Sequence, residues 1–271
     1  MTPETLLNAA ESFAERYDRV MVPVIFRPWA QELLRSLAPG SRDRVLDLGC
    51  GTGAVSRTIM AEGYAPKTLT GVDMNAEMLD VAELRARDQG ISVDWREAEA
   101  SALPFEAGQF DIAYCQQALQ FFPDKTAALS ELRRVLRPEG RVAFCVSRQL
   151  SENPLLEAQA HALASHVGPD SAAAVEAICS LYDPDEIARH FDNAGFSSIR
   201  ITRVSLTLHH PDGRVYADGA MAGMHTGDKL SALSERAREA CIDTFLQGLG
   251  EYFDGQAITF PHVSNVITAH A

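Results

Sequence analysis
The chain has 271 residues, of which 46% are hydrophobic and 23% charged, and it carries a formal net charge of −13. Such an apolar fraction excludes a disordered chain and suffices for one globular domain with insertions, or at most two small ones. The acidic balance, with lysine only at positions 67, 125 and 229, argues against a phosphate-neutralising surface, so no nucleic-acid partner is expected.

Residues 1–39 have helical spacing in two pieces, Thr2 to Tyr17 and Pro28 to Leu37, and form an expected N-terminal cover. From position 40 to 147 short apolar runs alternate with helical stretches: Val45–Leu48, then Ala54–Glu62; Thr68–Val72, then Ala76–Gln89; Ser92–Trp95; Phe110–Tyr114, then Lys125–Leu136; and Arg141–Val146. Strands of four to six residues separated by helices imply right-handed β-α-β units, hence a doubly wound α/β core with helices on both faces. Helical insertions are expected at 148–182 and 211–255. A helix and a strand at 183–210, and a last strand within 256–271, complete the sheet. All of this reads as a single domain, residues 1–271.

No apolar run is long enough to cross a membrane, and an acid near the N-terminus replaces the positive charge of a secretory signal, so a cytoplasmic location is expected. The five cysteines are odd in number and contain no C-x-x-C pair, so they read as reduced thiols. The eight histidines lack any ligand spacing, and no metal is expected.

The sharpest local feature is Val45-Leu-Asp-Leu-Gly-Cys-Gly-Thr-Gly53-Ala54, a strand running into three glycines and then a helix. Glycines let a ligand touch the backbone there, and the helix start offers unpaired N–H groups. Gly49-x-Gly51-x-x-Ala54 also satisfies the dinucleotide fingerprint, so the glycines alone leave an NAD(P)-linked oxidoreductase open. Asp47 argues for a different ligand: a carboxylate beside a pyrophosphate is costly, whereas one beside an ammonium or sulfonium is favourable. S-adenosylmethionine carries both cations and no phosphate. Asp73, at the end of the second apolar run and 22 residues after Gly51, stands where a carboxylate accepts from ribose hydroxyls; as a competing role it could cap the helix at Ala76.

The ordered motifs Val45–Gly53, Gly71–Leu79, Glu99–Phe105, Phe110–Asp124 and Leu132–Gly140 resemble those of the class I S-adenosylmethionine-dependent methyltransferases. Within that family they are most similar to small-molecule enzymes such as the ubiquinone/menaquinone-biosynthesis C-methyltransferases. The resemblance implies a Rossmann-like, seven-stranded, mostly parallel sheet. It also implies that Asp47, Gly49, Cys50 and Gly51 surround the methionine moiety, that Asp73 binds the ribose, and that Met74 and Met78 pack on adenine. Glu99, Ala100 and Ser101 belong beside the adenine amine, and Cys115 and Gln116 beside the methionine end and the transferable methyl. Gln120 stands where relatives often carry histidine.

Methyl transfer from a sulfonium is an in-line displacement with a neutral leaving group, S-adenosylhomocysteine, so positioning supplies much of the acceleration. No catalytic base is evident; Tyr17, Gln116, Gln120 and His225 are the candidates. Tyr17, Phe26, Trp29, Gln120, Met221 and Met224 are expected to line an acceptor pocket, the aromatic ones having plain packing as the competing role. A small, uncharged or partly apolar methyl acceptor is expected. The rival readings are a protein or RNA acceptor, or S-adenosylmethionine binding with other chemistry. Monomer and homodimer are equally open.

Overall fold
The computed structural model describes residues 11–222, 230 and 232–271. The expected α/β architecture is present as one seven-stranded sheet of order β3-β2-β1-β4-β5-β7-β6. Its strands are β1 (Arg44–Leu48), β2 (Thr68–Asp73), β3 (Asp94–Glu97), β4 (Phe110–Gln116), β5 (Leu136–Ser147), β6 (Ser197–His210) and β7 (Ile258–His270). The pairs β2–β3, β1–β2, β1–β4 and β4–β5 are parallel, and β7 is inserted antiparallel beside β5.

By its internal contacts the chain divides into two compact units. The first comprises Met1–Ile25, Gln149–Cys179 and Ser205–Val263. Its described helices are α1 (Phe13–Met21), α6 (Pro154–His166), α7 (Pro169–Glu176), α9 (Gly213–Ala222) and α10 (Glu235–Gly248). Ser12 starts α1 through a reciprocal capping box with Glu15. Helix α1 packs on α9 so closely that a Cβ on Gly219 would lie 2.5 Å from Val20. The helix expected over Thr2 to Tyr17 is instead interrupted at Glu11 and Ser12, because Ser12 caps a helix that starts at Phe13 and runs on to Met21; residues 1–10 are not described. The helical insertion expected at 211–255 contains α9 and α10 on either side of residues that are not described.

The second unit comprises Phe26–Arg148, Ser180–Val204 and Ser264–Ala271. It contains β1–β5, with α2 (Arg27–Ser36), α3 (Ala54–Ala61), α4 (Ala76–Asp88), α5 (Lys125–Val135) and α8 (Pro184–Asn193). Its core joins Leu46, Leu48, Val72, Phe110, Phe144 and Ile267 from the strands to Leu129, Leu132, Ile187 and Phe191 from the helices. Phe191 stands edge-on to Phe144, with ring centres 5.2 Å apart. β4 is buried at every position, as a parallel strand covered on both faces must be.

Among the strands of the second unit, β4 runs two residues further than expected, to Gln116, and β5 and β3 also depart from expectation. β5 begins at Leu136 rather than Arg141, because Leu136 already pairs with Phe110; the register then shifts past Pro138, where Glu139 takes a positive φ of 65°. β3 runs Asp94–Glu97 rather than Ser92–Trp95, set by its pairing of Asp73 with Glu97.

Candidate cofactor site at the ends of strands β1, β2 and β4
In this strand order the chain leaves β1 toward β2 on one side and β4 toward β5 on the other. The crevice beyond the carboxyl ends of β1 and β4 is therefore the switch point at which open α/β sheets bind ligands. The glycine loop 49–53 lies at this point, immediately after β1.

Each glycine has a distinct reason to lack a side chain. A Cβ on Gly49, whose φ is +66°, would approach Ala118 Cβ to 2.6 Å, so the loop after β4 closes against it. Gly53 and Gly71 face the indole of Trp95, at 2.6 and 2.3 Å from the position of an added Cβ. Gly51, with φ +52°, has nothing within 4 Å of an added Cβ, and this open space beside exposed backbone is what a close-lying ligand requires. Trp95 was not anticipated from sequence as part of the site; it supports the loop from β3, 44 residues beyond Gly51 in the chain.

Asp47 is 1% exposed. Its Oδ2 accepts from the Ser56 backbone N–H at 3.0 Å and from Ser56 Oγ at 2.7 Å. Gly53 provides no side-chain cap for α3, so the carboxylate takes over an N–H of the first helical turn that would otherwise lack a partner. Oδ1 is buried without a hydrogen-bond partner among the described residues. Burial pushes the carboxyl up from 3.8 to about 6; Ser56 opposes the rise and the nearby Asp73 charge adds to it.

Asp73 lies at the end of β2, also raised by burial. Its Oδ2 accepts from the Gly51 N–H at 2.8 Å and its Oδ1 from the Asn75 N–H at 2.9 Å. The helix-cap role belongs instead to Asn75, whose side chain accepts from Glu77 and Met78. Asp73 thus ties the glycine loop to β2, and with the Met74 N–H also on its carboxylate it still keeps acceptor capacity. Met74 is 69% exposed, and Met78 is half-buried. Glu99 and Ser101 are exposed and Ala100 half-buried, in the turn after β3. The Cys50 thiol, raised by burial and by the Asp47 and Asp73 charges, is a packed group.

At the end of β4, Gln116 Nε2 donates to the Phe26 carbonyl at 2.7 Å, which leaves Gln116 Oε1 buried and unpartnered among the described residues. Gln117, at a positive φ of 52°, accepts from Ser147 N and Oγ and donates to Ser264 Oγ, each at 3.0 Å. Gln120 Nε2 donates to the Gln117 carbonyl at 3.1 Å, and Gln120 Oε1 is likewise buried without a partner among the described residues. Neither the Gln117 network nor Ser56 was foreseen; the long-range pairings have no local sequence signal.

Several expected site residues do not present side chains to a ligand. Cys115 is wholly buried within the core, since strand alternation turns it away from the face that Gln116 occupies. Trp29, at 0% exposure in α2, is a core residue, so packing prevails over pocket lining. Met221 is also fully buried, its sulfur 3.9 Å from Cys241 Sγ. Tyr17, in α1, is half-buried beside Phe13, and Phe26 contributes its carbonyl to Gln116. Met224 and His225 lie outside the described residues. Among the described residues no cluster could hold a metal ion.

Open space at Gly51, two carboxylates and a buried Asp47 Oδ1 without a partner among the described residues fit a cationic nucleoside and disfavour a pyrophosphate. A doubly wound sheet with a glycine loop at its switch point is a Rossmann-like nucleoside-binding arrangement. Comparison with known proteins agrees: the family profile described as a methyltransferase domain matches residues 46–144. The ubiquinone/menaquinone biosynthesis C-methyltransferase UbiE of Bartonella quintana is 30% identical over 237 residues, covering 81% of this chain and 86% of that protein. The demethylmenaquinone methyltransferase of Lactiplantibacillus plantarum is 32% identical over 152 residues, 54% of this chain and 64% of that protein. Among solved structures, phosphoethanolamine N-methyltransferase 2 of Haemonchus contortus, in complex with S-adenosyl-L-methionine, shares the fold at a TM-score of 0.57 and 19% identity. That match covers 97% of this chain and 60% of the other. The chain belongs to the class I S-adenosylmethionine-dependent methyltransferases, and S-adenosylmethionine is its cofactor.

The raised Asp47 carboxyl predicts a pH dependence of cofactor binding. A bound cation favours the ionised carboxylate, so affinity should fall as pH drops through about 6, by about tenfold between pH 7.5 and pH 5. Without ligand the sign is opposite: the raised value contributes stability at low pH that is lost as pH rises through about 6. Calorimetric titration at several pH values checks this; a slope as steep in Asp47→Asn as in the parent would assign the proton elsewhere.

Proposed function
We propose that the crevice holds S-adenosylmethionine with its adenosine over the ends of β2 and β3 and its methionine over β1. The chain then transfers the methyl group to a small acceptor at the β4 side. The observation that carries this reading is the pairing of open space at Gly51 with Asp73, whose oxygens hold the loop and can still accept from ribose hydroxyls. Met74, exposed beside Asp73, supplies an apolar surface for adenine, with Met78 and the Glu99–Ser101 turn around its rim. Asp47 Oδ1 takes the ammonium, while Oδ2 stays on Ser56.

The cofactor supplies an electrophilic methyl carbon on a positively charged sulfur. The chain's own contribution is to fix the cofactor through backbone and carboxylates and to hold the acceptor in line. The Bartonella relative is named for ubiquinone/menaquinone biosynthesis and the Lactiplantibacillus relative for demethylmenaquinone, and these two support a small, partly apolar acceptor for this chain. The net charge of −13 supports a reaction on small molecules rather than nucleic acid. A cytoplasmic site of action accords with the described residues, where no helix is long and apolar enough to cross a membrane.

Calorimetry should show binding of S-adenosylmethionine and S-adenosylhomocysteine and none of NAD; the reverse outcome would remove the reading. A metabolite screen with tritiated S-adenosylmethionine and mass analysis of the labelled product then identifies the acceptor.

A further inference from the structure
Two buried glutamines at the β4 end of the crevice carry a chemical preference that the cofactor does not explain. Gln116 and Gln120 are 7% and 5% exposed. Each amide is oriented without ambiguity, because its nitrogen meets a backbone carbonyl, Phe26 for Gln116 and Gln117 for Gln120. A carbonyl can only accept, so turning either amide over would set two oxygens against each other. Both side chains therefore hold out an oxygen, and both oxygens are buried without a partner among the described residues.

The place of Gln116 in the fold sets it toward the acceptor rather than the nucleoside, and Gln120 is tied to the same strand end through the Gln117 carbonyl. Asp47 pairs with Tyr114 across β1 and β4, and continuing that register sets Gln116 beside Gly49, at the switch point itself. The adenosine end is occupied on the far side of β1, by Asp73 on β2 and the turn after β3. The reacting end consequently lies toward β4. The Phe26 carbonyl that orients Gln116 ends a π turn, Val22–Phe26.

We propose that the amide oxygens of Gln116 and Gln120 recognise the methyl acceptor by accepting hydrogen bonds from an N–H or O–H at, or next to, the atom that is methylated. An amide oxygen repels a bare carboxylate or phosphate and welcomes a neutral amine, phenol or hydroquinone. It also acts in the reaction. The acceptor's electron pair forms the bond to the methyl carbon while the sulfur–carbon pair returns to sulfur, and the acceptor gains positive charge that makes its N–H or O–H a stronger donor. The hydrogen bonds are then tighter in the transition state than before it, and the proton departs to solvent afterwards. Neither amide removes the proton; each positions the group that bears it.

The proposal rests on the cofactor placement above, and a binding experiment separates the two. The probes are S-adenosylhomocysteine and sinefungin, a cofactor analogue bearing an amine on carbon where the methylsulfonium stands. Sinefungin thus projects N–H donors to the point of transfer. Its affinity relative to S-adenosylhomocysteine should fall about tenfold in Gln116→Leu and in Gln120→Leu, and rise about tenfold in Gln116→Glu, where a carboxylate meets the amine. Should a leucine variant not fold, Gln116→Glu decides. An unchanged ratio in the folded variants, including one in which both ligands weaken in step, overturns the proposal. Failure of the unmodified protein to bind S-adenosylhomocysteine would instead overturn the cofactor placement.

Discussion

Replacing Asp73 by alanine should weaken S-adenosylmethionine binding by at least tenfold, and the loss should reach about a hundredfold if the loop loosens as well. Two charge-assisted hydrogen bonds inside the protein, to the N–H groups of Gly51 and Asn75, disappear with the carboxylate. Those to ribose go with them, and each charged hydrogen bond is worth about 1.5–3 kcal/mol. Asparagine should not restore binding, because whichever way its amide turns, the NH2 group faces one of the two backbone N–H donors. Isothermal titration with cofactor and product reads the effect. Full affinity in Asp73→Ala would show that the carboxylate merely shapes the turn before α4.

The second large effect is steric. Gly71→Ala places a methyl group 2.3 Å from Trp95, closer than real side chains sit, and in a tight 3.1 Å contact with Cys50 Sγ. Overpacking of this kind costs about 1–3 kcal/mol. The indole is flanked by Gly53 as well, so it cannot give way toward the loop without pushing the cofactor-binding backbone. Gly71→Ala should therefore lower both the denaturation midpoint and cofactor affinity. In a Trp95→Val background the same alanine should cost well under 1 kcal/mol, a coupling measurable by a double-mutant cycle. Equal costs in the two backgrounds would show that Trp95 is not what the glycine accommodates.

What sequence could and could not convey follows from how far each signal reaches. The alternation of strand and helix, the glycine loop and the strand-end position of Asp73 are local patterns, and they suffice for the α/β core and for setting that loop and that carboxylate at the ends of β1 and β2. Facing direction in a strand buried on both sides has no such pattern. Cys115 and Gln116 are adjacent in one motif, yet one fills the core and the other meets the Phe26 carbonyl. Partners supplied from elsewhere in the chain were equally silent: Trp95 against Gly53 and Gly71, or Gln117 on Ser147 and Ser264. Ser56 was near enough to notice, but helical spacing alone does not reveal that its N–H meets the carboxylate of a preceding strand. The aromatic N-terminal stretch misled in part because aromatic residues suit both a core and a binding pocket; Trp29 went to the core.

The insertion of β7 between β5 and β6 also constrains the order in which the chain takes shape during synthesis. β6 leaves the ribosome before β7, yet β7 is its neighbour in the sheet, so β6 has no strand to join until residues 258–270 follow. Strands β1 to β5 face no such delay and can assemble the cofactor crevice first, leaving the edge of β5 open meanwhile. A nascent chain of this protein would thus hold its nucleoside-binding half before the far side of its sheet is closed, and the unpaired β5 edge is its most vulnerable point to wrong partners until then.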